Sequence, residues 1–314
     1  MPSTQRFRNA YLVALLFWLS AVCAAQIEIT LNRSFVQTYA NRATITSDFQ
    51  VEKTSKIHPA SQDGDIHAAG TGTNIGMIAV AEVMNAKTEK THAVRQLTDS
   101  ASSGQPVRIT GAWRLWCEHG GEQEYIQGQQ VPPIDNSGQA HVFEIHPAID
   151  VGGTDVRHTW APINGYTYKT ADDAFRVYER TKSKITFNAN TITISTELAG
   201  DNYAEFLARL LEDPHDMQDG KSVFADIYDE AGDVLVHRRR LIFVSGTPPE
   251  QALRIKHKGD WIQIVGIPRF DLALVQYRVR QAETHGPNAD SVNWNIPYEL
   301  IAAAVTDEDP PPVQ

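Results

Sequence analysis

The sequence predicts a mainly β protein, with a small N-terminal barrel, a second antiparallel β domain and a helix that bridges the two. Three observations support this prediction. Apolar and polar residues alternate with period two in both halves of the chain, as in half-buried strands. Turn-forming residues separate these runs, and Gly111 interrupts one of them, as a bulge or a sharp bend would. The length of 314 residues is sufficient for two domains.

The first 25 residues have the order of a secretory signal peptide. Two arginines precede an apolar run from Ala10 to Val22, and small residues follow it. The run is too short to span a bilayer as a helix. A lipoprotein would be acylated at Cys23, but Val22 stands where a small residue is needed. We therefore expect a secreted or periplasmic protein, cleaved after Ala24 or Ala25.

The net charge limits which ligands the protein can be expected to bind, and the cysteine content shows whether disulfides can stabilise it. Removal of the signal peptide takes away two arginines and no acid, so the net charge falls from −10 to −12. Nucleic-acid binding normally needs a basic patch, and the run Arg238–Arg240 is better explained as a charged strand edge. We therefore expect a small-molecule, sugar, peptide or protein ligand, no nucleic acid, and no transmembrane segment in the mature chain. Cys117 is then the only cysteine, so stability must come from a core.

The first domain is predicted over residues 26–152. Its predicted strands are the alternating runs Ala43–Thr46 and Phe49–Lys53, taken together as the first strand, then Asp63–Gly70, Met77–Met84, Val107–Trp116 and Val142–Ile145. A loop or loose helix is expected over 89–105, and a long loop over 120–138. Five strands with one long connection between the third and the fourth are typical of an OB-type barrel, although a sandwich would give a similar pattern.

The second domain is predicted over residues 153–306, after a Gly-rich hinge. A helix over 171–180, capped by Thr170, is expected to bridge the domains. The predicted strands that follow are Lys184–Glu197, Tyr203–Leu211, Val223–Tyr228, Val234–His237, Leu241–Val244, Trp261–Val265 and Leu272–Val279. A helix also fits the pattern of Tyr203–Leu211. The acidic, proline-rich residues 307–314 are expected to be a disordered tail.

Two polar clusters in the first domain are the candidates for function. Asp65 and His67 are two residues apart on one predicted strand, and Glu144 and His146 are two apart on another, so each pair shares a strand face. Closure of a small barrel would bring the two pairs together. The set of candidate site residues is Asp63, Asp65, His67, Arg114, His119, Glu144 and His146.

These motifs also resemble a set of secreted bacterial proteins, largely without an assigned activity, that carry a "DGDxH … MIxE … VTxTG … ExHP" pattern. The matching segments are Asp63–His67, Met77–Val83, Val107–Gly111 and Glu144–Pro147, and the resemblance covers about residues 48–150. It implies an OB-like β-barrel and assigns no chemistry. The long segment 120–138 departs from the pattern, and the second half of the chain lies outside it.

The function stays open between three classes. The first is an exported binding protein of unknown ligand, with Trp113 or Trp116 as a stacking platform. The alternative is a metal-assisted hydrolase in which Arg114 stabilises a developing anion, and the third is a structural envelope protein. The cofactor is undetermined, with a divalent metal as the candidate. Its candidate ligands are Asp65, His67, Glu144 and His146. Glu82 is an acid inside the apolar run Met77–Met84, where it is costly unless it is paired.

The signal peptide predicts the start of the exported chain. Because cleavage follows small residues, intact-mass measurement of exported protein should give a chain that begins at Ala25 or Gln26. Exported protein that retains Met1 would contradict this assignment.

Overall fold

The computed structural model describes residues 26–89, 91–121, 123–200, 202–285 and 291–311, without the side chains of 291 and 292. The predicted signal peptide lies outside the described residues, and so do residues 312–314 of the predicted tail. The part of the tail that is described begins at Asp307, the last residue of a strand, and Asp309 forms an ion pair with Lys256.

Helices are few and short in the described chain. They are α1 (Arg33–Tyr39), α2 (Ala93–Ser103), α3 (Ala171–Arg180), α4 (Pro248–Leu253) and α5 (Leu272–Thr284). Strands dominate both halves. They are β1 (Gln26–Asn32), β2 (Thr44–Thr54), β3 (Ile66–Gly72), β4 (Ile78–Val83), β5 (Val107–Leu115), β6 (Glu124–Ile126), β7 (Phe143–Val151), β8 (Thr154–Asp155), β9 (Lys169–Thr170), β10 (Lys182–Phe187), β11 (Thr191–Glu197), β12 (Ala204–Leu210), β13 (His215–Met217), β14 (Gly220–Tyr228), β15 (Val234–Val244), β16 (Trp261–Phe270), β17 (Ser291–Asn295) and β18 (Tyr298–Asp307).

The first barrel is closed and has the predicted OB-like arrangement. Strands β2, β3, β4, β5 and β7 form it, in the order β4-β3-β2-β5-β7. All neighbours in this order are antiparallel, and a parallel pairing of β4 with β7 closes the ring. The segment 89–105, for which the sequence left loop and helix open, contains α2, which packs against β2 and β7.

Gly111 is the site of the bend in β5, as predicted. The register between β5 and β7 shifts on both sides of Gly111. A Cβ atom at this position would lie 2.6 Å from the carbonyl oxygen of Pro147, closer than real Cβ atoms come to other atoms. The glycine therefore lets β7 approach β5 closely enough to close the barrel.

The second sheet repeats the strand pairing of the first. Its strands β12, β14, β15, β16 and β18 correspond in order to β2, β3, β4, β5 and β7. They pair antiparallel except for β15 with β18, which is parallel, and the pairing of β12 with β14 closes the ring. Helix α4 lies between the third and fourth strands, as α2 does in the first barrel.

A third sheet has the order β17-β10-β11-β1-β6 and draws on both halves of the chain. Strand β1 pairs with β11 over its whole length and is parallel to β6, which lies inside the predicted long loop. Strands on either side of residue 152 thus share this sheet. The predicted domain bounds of 26–152 and 153–306 stay predictions.

Lys184–Glu197, which was predicted as one strand, forms two antiparallel strands, β10 and β11.

Another predicted strand of the second half is a helix. Leu272–Val279 was expected to be a strand, but it belongs to helix α5. The buried residues are Leu272, Val275, Arg278 and Val279, which follow the helical spacing of three and four. Asp271 caps the helix by accepting a hydrogen bond from the Leu274 amide at 2.8 Å. The valines suggested a strand, but burial on one side of a helix decides the structure.

Helix α3 is confirmed, with the Thr170 side chain accepting a hydrogen bond from the Asp173 amide. Tyr203–Leu211, for which the sequence left two options, is a strand over 204–210. No helix in the described part of the chain is both long enough and apolar enough to cross a membrane.

The two barrels are held together by Arg269 of β16. Its guanidinium donates to the backbone oxygens of Arg42, Ala43 and Trp113 and to Glu299, and it stacks on the Trp113 ring at 3.6 Å. Trp113 is 0% exposed and Trp116 is 2% exposed. The predicted stacking platform is therefore wrong, because the second barrel covers both tryptophans.

The close approach at Gly111 predicts the effect of a small substitution there. Gly111→Ala should lower the free energy of unfolding by about 1–3 kcal/mol, because the added methyl group overpacks the contact between β5 and β7. Urea denaturation measures this change. Gly200→Ala is the control, since a Cβ atom there meets nothing within 4 Å, and equal effects of the two substitutions would contradict the packing argument.

Candidate functional site

The candidate site lies on the β3–β4 face of the first barrel. It is flanked by the β2–β3 connection, which contains His58 and Asp63, and by the β5–β7 connection, which contains Glu118, His119 and His141. This face and these two connections are where OB-type barrels commonly bind ligands.

The local sequence accounts for the turn that enters β3. Gly64 has φ of +73°, a backbone conformation that favours glycine. The Asp63 side chain accepts a hydrogen bond from the amide of Asp65 at 3.1 Å, as turn-forming aspartates do. Asp65 then points inward, where it accepts from the Asn85 amide at 2.8 Å. The turn thus separates two carboxylates that are only two residues apart.

Three side chains converge at the mouth of the barrel. Nδ1 of His58 lies 2.8 Å from a carboxylate oxygen of Asp63, and the His58 and His67 rings are in edge contact, with centroids 4.4 Å apart. One donor atom from each of the three residues lies within 4.8 Å of the other two. The side chains of His58, Asp63 and His67 are 26%, 24% and 19% exposed. We call this set the mouth triad.

Glu82 connects the mouth triad to a buried polar network on the outer face of the first barrel, where the second barrel packs. It is the direct cross-strand neighbour of His67 between β3 and β4, and its carboxylate lies 3.5 Å from Nε2 of His67. The same carboxylate oxygen lies 3.4 Å from Nδ1 of His146. The sequence pattern marked Glu82 as an acid that needs a partner in a buried strand, and the structure supplies two.

His146 is the centre of the buried network. Nδ1 of His146 also lies 3.2 Å from Glu144, and Nε2 lies 2.8 Å from the Tyr203 hydroxyl and 3.4 Å from Asp65. Tyr203 comes from the second barrel and donates its hydroxyl hydrogen to Asp65 at 2.5 Å. Both ring nitrogens are therefore occupied, and the network joins the two barrels.

Arg114 holds the other end of the network. Its guanidinium donates to both oxygens of Glu144, at 2.7 and 2.6 Å, to Glu118 at 2.6 Å and to the Pro268 carbonyl at 3.1 Å. The side chain is 1% exposed, so it is not placed to meet an anion that arrives from solvent. The predicted role of Arg114 in stabilising a developing anion is not supported by this geometry.

His119 and His141 lie at the edge of the network. Nε2 of His141 lies 3.2 Å from Glu144, and Nδ1 lies 2.7 Å from the Gln139 carbonyl. His119 stacks beside His141 and lies 3.8 Å from Glu118, with 45% of its side chain exposed. His119 therefore contacts the network through neighbours and contributes no direct contact to the mouth triad.

Burial and pairing shift the pKa values of this site strongly. Burial raises the pKa of Glu82 to about 8, although His146 acts against this rise. Burial alone would lower the pKa of His146, but Glu82, Asp65 and Glu144 raise it to about 10. Burial thus favours the protonated form of Glu82, and the surrounding carboxylates favour the charged form of His146.

The pKa values of three neighbouring groups are shifted as well. Burial and the neighbouring His58 lower the pKa of His67 to about 4, so its imidazole is neutral at pH 7, the form that binds a metal. Burial would raise the pKa of Glu144, but Arg114 and the two adjacent histidines hold it well below its usual range. Burial and Asp65 raise the pKa of Tyr203 well above its usual value.

The structure brings most of the candidate residues into one connected set. Asp63 and His67 lie at the mouth, while Asp65, Glu144, His146 and Arg114 lie in the buried network. Sequence reasoning missed His58, Glu118, His141 and Tyr203. His58 lies five residues before Asp63, and His141 lies three residues before Glu144. Their nearness to these candidates in the sequence was a weak indication that both histidines belong to the site. Tyr203 had none, because it comes from the other barrel.

Chemically, the arrangement offers places for a metal ion. In the described part of the chain, sets of three donors lie within 4.8 Å of one another at the mouth triad, at Asp65, Glu82 and His146, and at Glu82, His141 and Glu144. Within each of the two buried sets, the side chains already form ion pairs or hydrogen bonds with one another. The mouth triad combines convergent donors with access from solvent.

Comparisons with known proteins give a fold-level likeness only. No protein-family model and no curated protein sequence matches the chain. Among solved structures, the single-stranded DNA-binding protein from Thermus aquaticus aligns at 9% identity and a TM-score of 0.22, covering 91% of this chain and 96% of that one. The Ifi202 HINa domain in complex with a 20-base-pair dsDNA aligns at 10% identity and a TM-score of 0.18, covering 87% and 94%.

These neighbours correct one expectation from the sequence. The acidic net charge was taken to exclude nucleic acid, whereas both neighbours are described by their DNA binding. The expectation that nucleic acid is no partner is wrong. Net charge does not support it, because net charge averages over the whole surface and does not describe a local patch. At these TM-scores the likeness carries no argument about which ligand this chain binds.

The raised pKa of Glu82 predicts a pH dependence of stability. Between about pH 4.5 and 8, the folded chain holds a proton that the unfolded chain has released, so this group's contribution to the unfolding free energy falls as the pH rises. The amide of Glu82→Gln does not titrate. In metal-free buffer, urea unfolding of wild type should therefore lose stability relative to Glu82→Gln from pH 5 to pH 8. Parallel pH profiles would contradict the shift.

Proposed function

We propose that this protein binds a divalent metal ion at the mouth triad of its first barrel. The observation that carries the proposal is the convergence of donor atoms from His58, Asp63 and His67 within 4.8 Å of one another. Small side-chain rotations bring such donors onto one ion at bond lengths of about 2.0–2.2 Å. Because each side chain is 19–26% exposed, an ion can enter and keep open positions for water.

The surroundings of His67 support this proposal. A histidine that binds a metal commonly donates its other ring N–H to a carboxylate, which fixes the orientation of the ring. Glu82 lies 3.5 Å from Nε2 of His67 and is itself held by the buried network. The network therefore acts as a rigid support for one ligand of the ion.

The donor set defines the class of ion. Two imidazoles and one carboxylate suit zinc, iron(II) and similar transition metals, while magnesium and calcium prefer oxygen ligands. We further propose that the ion is bound after export, and residues 1–25 of the sequence support that part of the proposal. Hydrolysis is not included, because Arg114, the residue that would stabilise an anion, is buried and paired.

Isothermal titration with Zn²⁺ on untagged, chelator-treated protein tests this function. Wild type should bind one Zn²⁺ at the mouth triad, and His58→Ala, Asp63→Asn and His67→Ala should each weaken binding at least tenfold, because each removes a ligand. Mg²⁺ should bind far more weakly. The melting temperature of wild type should rise with Zn²⁺, since the ion binds only the folded site.

His257→Ala is the matched control for these variants. His257 is exposed, its ring lies 3.5 Å from Asp213, and it belongs to none of the three-donor sets of the described chain, so its loss should leave Zn²⁺ binding unchanged. Absence of Zn²⁺ binding by wild type would refute the proposed function. Equal weakening by His257→Ala and His67→Ala would instead indicate non-specific binding.

A further inference from the structure

A groove on the second barrel has no place in the proposed metal site. It is a cavity of about 800 Å³ between β13, β14, β15 and the start of α5, and it shares no residue with the mouth triad. Its lining includes Phe224, Arg238, Arg239, Arg240, Asp271 and Tyr277. We call it the arginine groove. Its volume is in the range of sites for small molecules and cofactors.

The position of the groove in the fold is informative. Strands β14 and β15 are the second and third strands of the second barrel, and residues 212–218 and 271–277 belong to its first and fourth connections. In OB-type barrels this face and these connections commonly bind oligonucleotides or sugars. The corresponding face of the first barrel carries the candidate metal site. Fold position alone assigns no ligand, so the side chains must identify it.

Arg238 is held in a strained conformation that aims it at the groove. Its φ is +54°, which is rare for a long side chain, and it lies where the register between β14 and β15 shifts. Its amide donates to the Asp226 side chain at 2.9 Å. The guanidinium lies over the Phe224 ring at 4.5 Å. Strain and bulges of this kind are concentrated at binding sites.

The three arginines of the groove differ in their partners. Arg239 pairs with Glu179 at 2.7 Å, and Arg240 lies 3.3 Å from Glu299. Asp271 caps α5, as described above. No ion pair to Arg238 is found in the part of the chain that the structure describes. Two further acids line the groove: Asp216 pairs with Lys221 at 2.5 Å, and Glu212 accepts a hydrogen bond from the Phe224 amide at 3.2 Å. Among the arginines of the groove, Arg238 therefore has its guanidinium available for an anionic ligand.

Aromatic surface lies beside this cation. Tyr277 is 57% exposed on the first turns of α5, and the half-buried Phe224 stacks with Arg238. A guanidinium plane and aromatic rings around an anion site are the features that hold an unstacked nucleobase together with its phosphate. We propose that the arginine groove binds a nucleotide unit, with the base on Tyr277 and the phosphate on Arg238. The unit is either a free nucleotide or part of a single strand.

The proposal is tested by fluorescence anisotropy with labelled oligo(dT). Competition by unlabelled AMP and dTMP distinguishes a free nucleotide from a single strand. Oligo(dT) should bind at low salt and weaken as salt rises, because phosphate contacts release counterions. Tyr277→Ala should weaken binding about tenfold or more, since it removes a stacking surface. Arg238→Asn removes the charge while keeping a residue that tolerates positive φ, and it should weaken binding and reduce the salt dependence.

Arg209→Gln is the matched control, because Arg209 also lies over an aromatic ring, that of Trp261 at 5.9 Å, but outside the groove. It should bind like wild type, and circular dichroism should show all variants folded. Competition by mononucleotides at equal affinity would identify a free nucleotide, and weak competition would identify a single strand. Absence of binding by both probes, or binding that Tyr277→Ala and Arg238→Asn leave unchanged, would overturn the proposal.

Discussion

The buried ion pair between Arg114 and Glu144 is the interaction on which the candidate site depends. The two residues are direct partners between β5 and β7, and their side chains are 1% and 4% exposed. Loss of Arg114 would leave the buried Glu144 carboxylate without its guanidinium partner, at a cost of about 3–5 kcal/mol. Because Glu144 also contacts His141 and His146, this pair is directly linked to both buried histidines of the network.

The network explains how one short motif serves two purposes. Asp65 turns inward to the Asn85 amide and to Tyr203 of the second barrel, whereas Asp63 and His67 stay at the mouth. Glu82 lies between the two regions and contacts both His67 and His146. The buried network is rigid and fully paired, and it supports a half-exposed group of donor atoms. This is the arrangement that an ion site needs for preorganisation.

Much of the fold of the first barrel could be predicted from the sequence, since period-two alternation and the bend at Gly111 are local features. The strand Met77–Met84 was recognised by its apolar run, and Glu82 by its conflict with that run. The second half was harder. Leu272–Val279 has valines that favour a strand, yet one-sided burial makes it helical. The parallel pairing of β15 with β18, which completes the second barrel, leaves no signature in a single sequence.

The site was predictable where its residues share a motif and not where they meet through tertiary structure. Asp63, Asp65, His67, Glu144 and His146 stand in two short segments, so their grouping followed from strand geometry. Tyr203 lies 138 residues from Asp65 along the chain, and only the packing of the barrels brings it there. The same packing buries Trp113 and Trp116, which the sequence alone could not distinguish from an exposed platform.

The most direct test of the account is a crystal structure of the protein soaked in Zn²⁺, with anomalous differences measured on both sides of the zinc absorption edge. The account predicts one strong peak bounded by His58, Asp63 and His67, at about 2.0–2.2 Å from their donor atoms, with Glu82 still beside His67. A strong peak elsewhere with none at the mouth triad, or no zinc peak at all, would contradict it.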